Sequence, residues 1–172
     1  MSRDEQAFAE FFEASWDPCL RAVAASTGDL QTAEEQVAEA FARAWASWRK
    51  LRGHAAPRAW VVRTALNIGV SRWRRREREL PLAGHDLAGP PATSSIGLDA
   101  AMLRALRRLP TRQREVIVFR VFLDLDVDTT ARQLQLAPGT VRAHLSRAIT
   151  TLRNELALET TTEAHPCPKT IS

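Results

Sequence analysis

Between Leu136 and Arg153 the sequence LAPGTVRAHLSRAITTLR sets basic and small polar residues around an apolar stripe. At about 100° per residue, Val141, Leu145, Ala148, Ile149 and Leu152 fall on one side of a helix. Gly139, Ala143, Ser146, Arg147 and Thr150 point the other way, with Arg142 and His144 on the flanks. Arginine can donate paired hydrogen bonds to a guanine edge or to phosphate, and histidine and serine add secondary contacts. Small residues such as Gly139 and Ala143 let such a helix approach a surface closely. The same pattern also fits a half-buried helix with a solvated polar face, so its surroundings decide.

A second basic stretch, SRWRRRER, carries five arginines between Arg72 and Arg78. Spread around a helix they cannot share one face, so several would meet phosphate and others solvent. Trp60 and Trp73 either stack on unpaired bases or pack in a core. Asn67 either bonds an exposed base or is a plain helix-face amide. The charge distribution supports a polyanion as partner. Residues 1–48 sum to −6, residues 49–80 to +8 and residues 104–153 to +6, within a net charge of +4.

These side chains need elements to position them. A capping box, Ser2 with Glu5, opens a first helix with Phe8, Phe11, Phe12, Cys19, Leu20 and Val23 on its apolar face, and Gly28 stops it. A second box, Thr32 with Glu35, opens a helix whose stripe is Val37, Ala40, Phe41, Ala44, Trp45 and Trp48. RKLRGHAA reads as a loop, and Pro57 starts a third helix running to about residue 79. Residues 80–97, rich in Pro and Gly, read as a flexible linker. Leu98, Met102, Leu103, Leu106 and Leu109 then mark a helix broken at Pro110, and TRQREVIVFRVFL marks the next. Asp126 caps a short helix in which Ala131 and Leu134 pack inward, and after a tight turn Pro138 opens the long helix. No strand pattern survives. The expected fold is all-α: two small helical domains at residues 1–79 and 98–154, a linker at 80–97 and a disordered tail at 155–172.

Composition excludes other classes. No run of eighteen apolar residues occurs and MSRDEQAF is not an apolar signal segment, which points to a cytoplasmic chain without membrane insertion. No Gly-rich phosphate loop, GxSxG, CxxC or HExxH appears, so neither catalysis, a cofactor nor a small-molecule substrate is expected. Cys19 and Cys167 lie in no metal-ligand spacing, and Cys19 reads as a small core residue.

The stretch LRRLPTRQREVIVFRVFLDLDVDTTARQLQLAPGTVRAHLSRAITTLR closely resembles region 4 of bacterial sigma factors. TAEEQVAEAFARAW followed by PRAWVVRTALNIGVSRWRRR resembles region 2, and the two together resemble the extracytoplasmic-function group. The resemblance implies core RNA polymerase and promoter DNA as partners, with an anti-sigma factor as a common further one. It implies −35 element contacts from Thr140, Arg142, Ala143, His144, Ser146 and Arg147. The −10 element would meet Arg52, Trp60, Arg63, Asn67, Arg72, Trp73, Arg74 and Arg75. Core polymerase would meet Glu34, Glu35, Ala38, Glu39 and Phe41, although a solvated acidic face would read the same way. The chain departs from the family pattern at Ala38, Ser71, Thr130 and Ala137, where Gln, Asp, an aliphatic residue and a Ser cap are usual. A freestanding helix-turn-helix regulator, or an adaptor that has lost DNA binding, remains as an alternative on the residues alone.

Overall fold

The computed structural model describes residues 2–79 and 97–163. Residues 80–96 of the linker expected at 80–97, with position 1 and positions 164–172, lie outside the described residues. Every regular element described is helical.

Helix α1 (Arg3–Thr27) begins at the predicted capping box and ends at Gly28, whose φ of 72° is the left-handed conformation that glycine adopts without cost. Pro18 lies inside it and has no N–H for the Ala14 carbonyl. Arg58, at the start of the third long helix, supplies the missing donor: its Nη2 donates to Ala14 O at 2.8 Å, while its Nε donates to the neighbouring Ser15 Oγ at 3.1 Å.

Helix α2 (Leu30–Ala46) starts three residues earlier than a cap at Thr32 predicts. Asp29 is the cap, its Oδ2 accepting from the Thr32 N–H at 2.8 Å, which leaves Thr32 within the first turn. The expected loop after Trp48 contains a single helical turn, α3 (Trp48–Leu51), because Trp48 and Leu51 drop together into the core. Helix α4 (Pro57–Glu79) opens at Pro57 as expected. Four further helices follow: α5 (Ala100–Arg108), α6 (Thr111–Ile117), α7 (Val127–Leu134) and α8 (Pro138–Glu163). Between α6 and α7 the chain widens into a π turn, Val118–Phe122, closed by Leu123 N–H donating to Val118 O at 3.1 Å. Where the sequence predicts one continuous helix, α6 therefore ends early.

The disordered tail expected from residue 155 is corrected in part, since α8 runs on to Glu163. No breaker occurs before Pro166, and a partner on another helix holds the extension, Glu155 accepting from Arg108 of α5.

Helices α1, α2 and α4 bury Cys19, Val23, Val37, Phe41, Val61, Val62 and Ala65, while α5 to α8 bury Leu103, Leu106, Val116, Phe119, Leu134, Val141 and Ala148. These two groups also pack on each other. From Cys19 to Ala25 only Arg21 of α1 is exposed. A helix serving one core buries one stripe, whereas this segment faces α2 and α4 on one side and α5 and the π turn on the other. The seam closes at Gly28, where an added Cβ would lie 2.5 Å from Arg107 Cδ.

Candidate nucleic-acid interface

Helices α7 and α8 form a helix-turn-helix. Asp126 caps α7, with its carboxylate accepting from the Thr129 N–H at 2.7 Å and the Thr129 hydroxyl at 2.8 Å. These bonds hold the Asp126 carboxyl below its ordinary pKa. Gln135 ends α7 in the left-handed conformation at φ 55°, and Leu136 N–H donates to Ala131 O at 3.0 Å. Ala131, Leu134, Val141 and Ala148 are buried and lock the two helices together.

The apolar stripe of α8 is thereby turned inward and its other face outward. Thr140, Arg142, Ala143, Ser146 and Arg147 are exposed, and the space beside Gly139 is open. No hydrogen bond or ion pair restrains the Arg142 or Arg147 guanidinium, so both are available to a ligand. His144 differs: it is half-buried, with Nδ1 fully covered and without a partner. Thr130 fills a fully buried position with no partner for its hydroxyl, a place suited to the usual aliphatic residue.

On α4, Trp60, Arg63, Asn67 and Arg74 lie within about a third of the helix circumference. This face points away from the buried Val61, Val62, Ala65 and Ile68. Trp60 is half-buried against the core, whereas Trp73 is 47% exposed and outside it. Arg75 is exposed. Arg72 is not on the Trp60–Asn67 face. It follows Ala65 and Ile68 on the inner stripe, pointing at α2, and its Nη1 donates to Glu35 at 3.1 Å and its Nη2 to Glu39 at 2.8 Å. Arg52, in the loop after α3, is likewise engaged by Asp4 of α1 at 2.6 Å.

Glu34, Glu35 and Ala38 are exposed on α2 and Glu39 is half-buried. Phe41, expected at a polymerase contact, is only 2% exposed and is corrected to a core residue. Its ring lies 5.9 Å from Phe11, 4.9 Å from Phe12 and 5.8 Å from Trp16, centroid to centroid. Trp45, expected in the buried stripe, is instead 45% exposed and packs against Phe8 with ring centroids 5.0 Å apart and tilted by 54°. With Phe12 it forms an aromatic surface that the sequence reading missed, although Phe8, Phe11 and Phe12 announce it. Cys19 is wholly buried, and burial pushes its thiol up to about 12, so it stays protonated and unreactive.

The chain matches the profile of Sigma-70 region 2 over residues 16–79 and that of Sigma-70, region 4 over residues 99–152. It is 28% identical over 152 residues to the RNA polymerase sigma-E factor of Streptomyces coelicolor, covering 87% of this chain and 85% of that one. It is 29% identical to the ECF RNA polymerase sigma factor SigM of Mycobacterium tuberculosis, covering 84% and 74% respectively. Among solved structures, the sigma factor RpoE in complex with the anti-sigma factor NepR from Bartonella quintana shares its fold. The TM-score is 0.70 at 23% identity, covering 88% of this chain and 98% of that one. The two profile matches fall in chain order on the two helical groups that carry the basic α4 and the exposed α8, and together they span well over half of the sequence: this chain belongs to the sigma-70 family, among its extracytoplasmic-function members.

Proposed function

We infer that this chain is a sigma factor that binds core RNA polymerase and directs promoter-specific transcription initiation. The observation that carries the reading is the outward face of α8, where Arg142 and Arg147 stand unpaired on a helix braced by α7. Such a helix fits the major groove, with its arginines on guanine edges or phosphates of the −35 element. Trp60, Arg63 and Asn67 of α4, with Trp73 and Arg75, suit the −10 element once its bases are unpaired, by stacking and phosphate contact. The acids Glu34, Glu35 and Glu39 of α2 give core polymerase an anionic surface. The protein acts by binding, without a catalytic step of its own. A cytoplasmic location follows from that role, and no described helix is long and apolar enough to cross a membrane. An anti-sigma factor is a further partner, by analogy with the complex in which the structural neighbour was solved.

The test is run-off transcription by purified bacterial core polymerase on a promoter library, with and without the protein. New transcripts sharing two upstream motifs at fixed spacing are expected. Core binding without any transcript would favour an adaptor. A symmetric footprint from the protein alone, with no core binding, would favour a freestanding regulator.

A further inference from the structure

Arg72, which the family resemblance gives to promoter DNA, and Glu35 and Glu39, which the proposed function gives to core polymerase, hold each other in the free chain. Arg72 bridges Glu35 at 3.1 Å and Glu39 at 2.8 Å, and the other Glu39 oxygen accepts from Arg43 Nη2 at 2.5 Å. The result is a four-membered chain of alternating charge, Arg43–Glu39–Arg72–Glu35, along the α2–α4 seam. Backbone packing places it there: at Gly69 an added Cβ would lie 2.7 Å from the buried Gln36 amide, so α2 and α4 are in close contact one turn before Arg72. While the bridge stands, the Arg72 guanidinium is turned from the Trp60–Asn67 face, and neither acid is free for a cationic partner.

We propose that this bridge is a latch coupling the two ligands of the N-terminal helices: a basic surface of core polymerase that takes Glu35 and Glu39 releases Arg72 for DNA phosphate. The proposal rests on the sigma-factor reading. All three side chains are at least a third exposed, so water screens the pairs and the latch is weak. Weakness is what exchange requires, because a partner must outbid the internal pairing. Coupling is reciprocal, so whatever Arg72 costs core binding while latched, polymerase returns to DNA affinity. A coupling of about fivefold, equivalent to about 1 kcal/mol, fits an exposed network.

The first arm needs no polymerase. The full chain is titrated with a short fluorescent single-stranded oligodeoxynucleotide at low salt. Glu35→Gln with Glu39→Gln is expected to bind about fivefold tighter than the unaltered protein. Adding Arg72→Gln should remove that gain. Glu10→Gln with Glu13→Gln changes net charge equally on α1, away from Arg72, and should give little gain. An equal gain from the α1 pair, or a gain surviving Arg72→Gln, overturns the latch. In the second arm, Arg72→Gln alone is titrated with core polymerase and is expected to bind severalfold tighter, its acids now free. Weaker core binding would make Arg72 a mere scaffold residue and overturn the proposal. Failure of the unaltered chain to bind core at all would overturn the sigma reading and with it the coupling, while the oligonucleotide arm still decides whether Arg72 is latched.

Discussion

At the scale of the residue, the sharpest contrast is between arginines that are free and arginines that are spoken for. Arg147 has no internal partner, so its removal costs the fold nothing visible and, on the proposed function, costs DNA a contact. Arg147→Ala is expected to weaken duplex binding to the cognate upstream element about tenfold, with core affinity unchanged, as read by parallel titrations with duplex and with polymerase. Equal loss of both would contradict the role. Thr130 argues in the opposite direction, toward stability. A buried hydroxyl without a partner costs about 1–3 kcal/mol, and valine has nearly the same shape. Thr130→Val should therefore stabilise the protein by about 1 kcal/mol in denaturant melts while leaving the α8 face intact. The outward face of α8 was legible in the sequence because its apolar residues recur with the helical period. The bridging role of Arg72 was hidden by its company: in a run of arginines its type says nothing, and only its register with Ala65 and Ile68 turns it toward α2. Phe41 was legible as part of the apolar stripe of α2, where Phe11, Phe12 and Trp16 close over it; only the contact implied by the resemblance put it at the surface.

At the scale of the element, helix boundaries followed local chemistry wherever a cap or a proline spoke clearly, as at Ser2, Gly28, Pro57, Asp126 and Pro138. Where two caps compete, as Asp29 and Thr32 do, the one whose backbone is already extended wins. The π turn at Val118–Phe122 carries no composition signal, because its apolar run would suit an ordinary helix equally well. The extent of α8 was set by a partner on another helix, Arg108, which local periodicity does not reveal. The end of α1 shows how much one residue can combine. Gly28 takes a left-handed φ of 72° and leaves room for the Arg107 side chain, which lies against a helix whose last turn has no basic residue of its own. Gly28→Ala would strain the backbone by about 1 kcal/mol and push Arg107 away. A fall of several degrees in Tm is expected by circular dichroism, and an unchanged Tm would mean that the seam at Gly28 yields freely.

At the scale of the whole molecule, two modules were expected from the sequence, and their two halves of the core are in fact joined. The sequence could not show this, because the joining surface is the second buried face of α1, and a segment of small residues such as Ala22, Ala24 and Ala25 gives no sign of serving two neighbours. Joined cores imply joined stability. All five tryptophans, Trp16, Trp45, Trp48, Trp60 and Trp73, lie in the N-terminal group of helices, so their fluorescence reports that group alone. Phe119 lies in the other group, fully buried in the π turn that packs on α1. Phe119→Ala removes a ring at a close-packed site and should cost about 3–5 kcal/mol. If the cores were independent, tryptophan fluorescence would melt at an unchanged temperature while circular dichroism revealed an early loss of the C-terminal helices. Because the π turn is one wall of the α1 environment, the fluorescence midpoint is expected to fall together with the dichroism midpoint. Separate midpoints would show that the seam contributes contact without cooperativity, and that α4 and α8 are free to part without a penalty from the core.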